Sequence, residues 1–203
     1  MINLFNKNSS INKNLIEYII VGLGNPGKEY TNTRHNAGFI AIDKISEKYS
    51  CNVNKVKYKA LSGDCVINEK RVLLMKPQTF MNLSGESVVQ AMNFYKILPE
   101  NVIILFDDIS LGVGKMRIRR KGSDGGQRGM RSIIGLSGSD KFPRVKIGIG
   151  EKPNPNWQLA DWVLSRFTKS ELELLDKVTD NVCGAVEYMV AGNIDKAMAE
   201  YNS

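Results

Sequence analysis

Tyr18-Ile19-Ile20-Val21-Gly22-Leu23-Gly24-Asn25-Pro26-Gly27 is the stretch on which the fold turns. Four apolar residues in a row, closed by glycine, read as a strand buried on both faces, as in a sheet covered by helices on two sides. The glycines match Gly-x-Gly-x-x-Gly, which suggests a dinucleotide-binding turn. That reading requires a helix opening at the glycines. Instead Pro26 and Gly27 interrupt, Lys28 to Arg34 carries no apolar stripe, and helical spacing (Phe39, Ile42, Ile45, Tyr49) begins only at Asn36. No acidic residue ends a strand about 20 residues on, so a nucleotide-dependent oxidoreductase is disfavoured. The alternative is a tight turn at a strand's C-terminal end that displays Asn25 to the crevice where α/β sheets bind ligands. Asn-Pro-Gly serving only as a turn stays open.

Outward from this stretch the pattern alternates. Lys59 to Ile67 and Arg71 to Met75, flanking Asn68-Glu69-Lys70, predict a hairpin. Ser84 is placed to cap a helix through Tyr95. Val102 to Phe106 is a second buried strand, breaking at Asp107-Asp108. Gly114 to Arg120 alternates, with Lys115, Arg117 and Arg119 on one face. Gly125-Gly126 leads into a short helix through Ile134, and Val145 to Ile149 is a further strand. In the last fifty residues Leu172, Leu175, Val178, Val182, Val186 and Met189 form a helical stripe. Strands alternating with helices, plus a hairpin, predict a single α/β domain with a mixed, mostly parallel twisted sheet flanked by helices. Residues 1–16, rich in Asn, Lys and Ser, read as a flexible N-terminal extension, and 17–203 as the domain.

The chain has 203 residues, 42% hydrophobic and 24% charged, which excludes a disordered chain, a coiled coil and a fibre. Its apolar runs fall far short of the ~20 residues that span a bilayer. A net charge of +7 favours an anionic partner such as nucleic acid. Lys115, Arg117, Arg119, Arg120 and Lys121 make a basic run without interleaved acids, and Arg128 and Arg131 follow it. Cys51, Cys65 and Cys183 are odd in number and widely spaced, so neither a disulfide framework nor a zinc site is indicated.

His35 is the one histidine. An imidazole titrates near pH ~6.5 and can take a proton from water at neutral pH. Asp107 and Asp108, at the end of the other buried strand, are its candidate partners. An exposed histidine without a task fits the spacing equally well. No Gly-x-Ser-x-Gly elbow supports a covalent triad. Phe80-Met81-Asn82-Leu83-Ser84-Gly85 is a third polar island. Asn82 is placed to bind a substrate amide and Phe80 to line a pocket or stack on a base; equally, Asn82 could cap the next helix and Phe80 enter the core.

Taken together, these islands resemble the bacterial-type peptidyl-tRNA hydrolases. The resemblance is carried by Ile20 to Gly27 with Tyr30, by Thr33-Arg34-His35-Asn36-Ala37-Gly38, and by Lys76 to Gly85. Asp107-Asp108 with Gly114-Lys115, Gly122 to Gly126 and Lys146 to Gly150 complete it. The resemblance implies hydrolysis of the ester between a peptide and the 3′-terminal ribose of tRNA. It implies His35 as general base, Asp107 as its partner, and Asn25 beside the scissile ester. Asn82, Tyr30 and Phe80 would contact the peptide or acceptor end, and Arg117 and Arg119 the tRNA phosphates. It further implies no metal or organic cofactor, no membrane, no obligate protein partner, a cytoplasmic monomer, and a helical lid over Pro153 to Leu164. One departure stands out: where the family has His-Asn-Gly, this chain has Gln127-Arg128-Gly129. Arg128 cannot accept a hydrogen bond but can bind phosphate, so that substrate contact is either replaced or lost. A homologue that binds RNA with weakened turnover is the alternative reading.

Overall fold

Tyr18–Gly22 forms β1, the centre of a seven-stranded sheet, in a computed structural model that describes residues 15–202. The other elements, in chain order, are α1 (Ala37–Lys48), β2 (Lys55–Lys57), β3 (Ala60–Ile67), β4 (Lys70–Pro77), α2 (Ser84–Tyr95) and β5 (Val102–Asp108). They continue with β6 (Met116–Arg119), α3 (Arg128–Ser137), β7 (Arg144–Gly148), α4 (Leu159–Leu164), α5 (Lys169–Val190) and α6 (Ile194–Tyr201). The strand order is β2-β3-β4-β1-β5-β7-β6. β4, β1, β5 and β7 run parallel, while β2, β3 and β6 are antiparallel at the two margins. The sheet is therefore mixed and mostly parallel, as the sequence predicts.

Burial on both faces explains the continuous apolar runs. Ile20, Ile103, Leu105 and Ile147 pack with α1, α5 and α6; Ile19, Val21, Ile104 and Phe106 pack with α2 and α3. The glycines after β1 serve packing rather than phosphate. A Cβ on Gly22 would lie 2.1 Å from the Gly38 carbonyl oxygen, and one on Gly38 2.4 Å from the Leu105 oxygen. Only glycine at both positions lets α1 lie backbone-to-backbone on the sheet.

The hairpin turn is Asn68-Glu69, both with positive φ (47° and 64°), the geometry a two-residue turn needs to match strand twist; Lys70 already belongs to β4. Several boundaries differ from expectation. Ser84 is the first residue of α2 rather than its cap: its hydroxyl donates to the Met81 carbonyl at 2.8 Å, because a 3-10 turn over Met81–Leu83 leads directly into the helix. β5 continues through Asp108 because β7 pairs with it that far. α3 runs on to Ser137, ending at Gly138 in the left-handed conformation. Of the stripe on α5, Leu172 is half-buried and the other five residues are buried. Within Pro153 to Leu164 only Leu159–Leu164 is helical. Of the expected extension, residues 1–14 lie outside the described residues. Ile16 is buried in the second core, and the Glu17 amide donates to the Arg71 carbonyl at 2.8 Å. Among the described residues no helix is long and apolar enough to cross a membrane.

Candidate active site

β1 and β5 are parallel neighbours, so the segments leaving their C-terminal ends emerge side by side. The first carries Asn25 and, after a 3-10 turn, His35; the second ends in Asp107 and Asp108. Asn36 locks the two halves of the first segment together. Its Oδ1 accepts from the Asn25 amide at 2.8 Å and its Nδ2 donates to the Asn25 carbonyl at 3.0 Å. The Asn25 side chain in turn accepts from the Met81 amide through Oδ1 at 2.8 Å. With that oxygen taken, the Asn25 NH2 group has no partner among the described residues, in a residue that lines the cleft.

His35 Nδ1 lies 2.7 Å from Asp107 Oδ2, with side-chain exposures of 12% and 3%. An ionised carboxylate only accepts, so toward it Nδ1 is the donor, and in a neutral ring that tautomer leaves the Nε2 lone pair open. The other oxygen, Asp107 Oδ1, accepts from Gln127 Nε2 at 3.1 Å. Asp108 faces elsewhere. It accepts from Lys146 Nζ at 2.7 Å and from the Ser110 hydroxyl and amide. Burial pushes its carboxyl up, but these bonds outweigh burial and hold it below the ordinary range. Of the two candidate partners, Asp107 is thus the one that meets the imidazole.

The cleft above the pair holds about 350 Å³. Phe80, Met81, Phe106 and Ile109 contribute apolar surface, and Leu159 and Val163 of α4 form another wall. Asn25, His35, Asp107, Phe80, Asn82 and Arg128 all line it. Phe80 is 55% exposed, so it belongs to the cleft and not to the core. Asn82 is exposed and caps nothing. Tyr30, in the 3-10 turn Lys28–Tyr30, does not line the cleft, nor do Arg117 and Arg119. Those two arginines sit on the marginal strand β6. Arg117 is in register with Lys146, itself a lining residue, so the basic strand adjoins the cleft from outside.

Three supporting residues escaped sequence reasoning. Arg34 is 4% exposed and stacks on Trp162 at 3.8 Å. It donates to the Ile149 carbonyl, to Ser165 Oγ and to Glu171 Oε2, tying the His35 turn to α4 and α5. Arg144, 2% exposed, donates to the carbonyls of Phe142, Ser123 and Asp140, and so anchors the glycine-rich segment before α3. Burial lowers its guanidinium pKa. Gln127 caps α3, its Oε1 accepting from the Met130 amide at 2.8 Å. The only sequence signal was its place beside Arg128 in the block that departs from the expected pattern.

Among the described residues no cluster of His, Cys, Asp and Glu could hold a metal ion. Among the described residues no serine, threonine or cysteine lines the cleft. An imidazole oriented by a carboxylate in a cleft of an α/β fold is an arrangement that suits a hydrolytic enzyme. Residues 19–203 match the family model for peptidyl-tRNA hydrolase, and the chain belongs to that family. It is 50% identical over 185 residues to the peptidyl-tRNA hydrolase of Lachnospira eligens, covering 91% of this chain and 99% of that one. It is 52% identical over 186 residues to that of Agathobacter rectalis, covering 91% and 100%. The crystal structure of the peptidyl-tRNA hydrolase from Acinetobacter baumannii superposes with a TM-score of 0.87 at 36% identity, covering 92% of this chain and 95% of that one.

Proposed function

We propose that this chain hydrolyses the ester joining a peptide to the 3′-terminal ribose of tRNA. The observation that carries the reading is the 2.7 Å contact between His35 Nδ1 and Asp107 Oδ2 at the floor of an apolar-walled cleft. His35 Nε2 takes a proton from water as the water oxygen bonds to the ester carbonyl carbon. Asp107 stabilises the imidazolium that forms. When the carbon–oxygen bond to ribose breaks, the imidazolium returns the proton to the leaving oxygen. The unpartnered Asn25 NH2 donates to the carbonyl oxygen as it becomes an oxyanion. Asn82 offers its amide to the substrate, and Phe80 presents a face on which a terminal base can stack.

Arg128 heads α3 at the cleft rim, exposed and without an acidic partner among the described residues. It binds a phosphate near the acceptor end, while Arg117 and Arg119 follow the backbone further out and Tyr30 contacts the approaching strand. A peptidyl-tRNA substrate supports a cytoplasmic location. The intact His35–Asp107 pair weighs against a binding homologue without turnover.

The test is release of N-acetyl-aminoacyl groups from tRNA. His35→Ala is expected to lower the turnover rate by about 10²–10⁴-fold while tRNA affinity is kept. Hydrolysis at the wild-type rate by this variant would overturn the scheme.

A further inference from the structure

We propose that Gln127 is a positioning residue for the general base: its side-chain NH2 group holds the Asp107 carboxylate in the one orientation that presents an oxygen to His35. This assignment rests on the proposed reaction and extends it to a residue outside the His35–Asp107–Asn25 set.

A carboxylate at the end of a strand can rotate about its Cβ–Cγ bond. At Asp107 both oxygens are engaged, Oδ2 with His35 Nδ1 at 2.7 Å and Oδ1 with Gln127 Nε2 at 3.1 Å. The glutamine itself has no choice of orientation. Its Oε1 accepts from the Met130 amide at 2.8 Å as the cap of α3, so Nε2 must point the other way. There it meets Asp107 Oδ1 and, at 3.2 Å, the weakly accepting Met81 sulfur. The helix terminus therefore fixes the amide, the amide fixes the carboxylate, and the carboxylate fixes the imidazole tautomer. Gln127 is 9% exposed and Asp107 5%, so water has little room to replace either bond. An amide also adds no charge and does not titrate, so Asp107 receives this donor at every working pH.

Gln127→Glu separates the two roles of the side chain. The glutamate keeps the shape and caps α3 at least as well, since an anion suits a helix N-terminus. Ionised, it cannot donate to Asp107 and sets a second carboxylate against it; protonated, it donates only at the cost of a proton held between the two, so the variant acquires a pH dependence that the amide lacks. Turnover should fall on the order of 10–100-fold, with KM for N-acetyl-aminoacyl-tRNA changed less than about 3-fold, as expected for a lost hydrogen bond to a charged group. Gln127→Asn, a shorter amide, tests whether a donor alone restores part of the rate. Because His35 is the one histidine, its ring-nitrogen signals in 15N-labelled protein are assigned without ambiguity. In the wild type they should show a protonated Nδ1 and a bare Nε2 at pH 8. In Gln127→Glu they should shift; the two buried carboxylates also lower the melting temperature, so rate and spectra are read well below it. Wild-type turnover with unchanged rate and unchanged ring signals in Gln127→Glu would overturn the assignment alone. A wild type that does not cleave the substrate would overturn the reading beneath it.

Discussion

At position 128 two considerations oppose each other. A cation in the first turn of a helix faces the positive end of the helix dipole, which costs about 0.3–1 kcal/mol at an exposed site. Arg128 occupies that place in α3 with no carboxylate among the described residues to offset the cost, since Asp124 pairs with Arg131. On the proposed reading, a ligand anion offsets the cost of a residue that is unfavourable to its own helix and turned to a cleft rim. Arg128→Ala should therefore leave thermal stability unchanged or slightly raised. It should increase KM for peptidyl-tRNA several-fold, with the deficit largest at low salt and shrinking as salt screens the contact. Steady-state kinetics across a salt series, alongside a melting curve, check both halves. A KM equal to the wild type at low salt would remove Arg128 from the substrate contacts.

Among elements, the junction of α1 with β1 and β5 places His35, since the catalytic turn is the lead-in to that helix. Gly38→Ala sets two effects against each other. Alanine favours the helix by about 1 kcal/mol. Its Cβ, however, would lie 2.4 Å from both the Leu105 oxygen and the Leu23 nitrogen, backbone atoms that cannot swing aside. Overpacking of this kind costs about 1–3 kcal/mol, so the clash wins. We expect a lower urea midpoint and, as α1 is pushed off the sheet, a fall in turnover larger than the change in tRNA affinity. Such elements were legible in the sequence where one local pattern decides them. The runs Tyr18 to Val21 and Val102 to Phe106, the hairpin and the α5 stripe all answer to simple burial or turn chemistry. β2 was not legible, because Lys55-Val56-Lys57 is exposed and owes its strand form to pairing with β3. The capping role given to Ser84 failed for a related reason: a preceding 3-10 turn had already supplied the helix start. Within the site, the pairing of His35 with one of two aspartates was foreseen. The burial of Arg34 against Trp162, 128 positions later, and the double duty of Gln127 depend on contacts that no local pattern encodes.

For the molecule as a whole, depressed carboxylates bind its layers together and so set its response to acid. Glu171 of α5 reaches Arg34 in the turn that carries His35, and Asp108 joins β5 to β7 through Lys146. Glu187 of α5 accepts from Lys48 and Tyr49 at the end of α1. For Glu187, burial pushes the pKa up, but the Lys48 ammonium and the Tyr49 hydroxyl outweigh it and hold the carboxyl below its ordinary 4.5. A folded-state pKa below the unfolded one means that, as pH drops through about 4.5, the unfolded chain takes up protons first. The stabilisation is complete above that pH and fades as the folded-state pKa is passed. Glu187→Gln removes the charge while keeping an acceptor. With its side chain 34% exposed, the loss at pH 7 should be modest, about 0.2–1 kcal/mol. The gap between wild type and variant in urea unfolding should then narrow as pH falls from 6 to 3, because the wild-type glutamate is being neutralised too. A gap that stays constant over that range would show that the α1–α5 contact owes its strength to shape and not to charge.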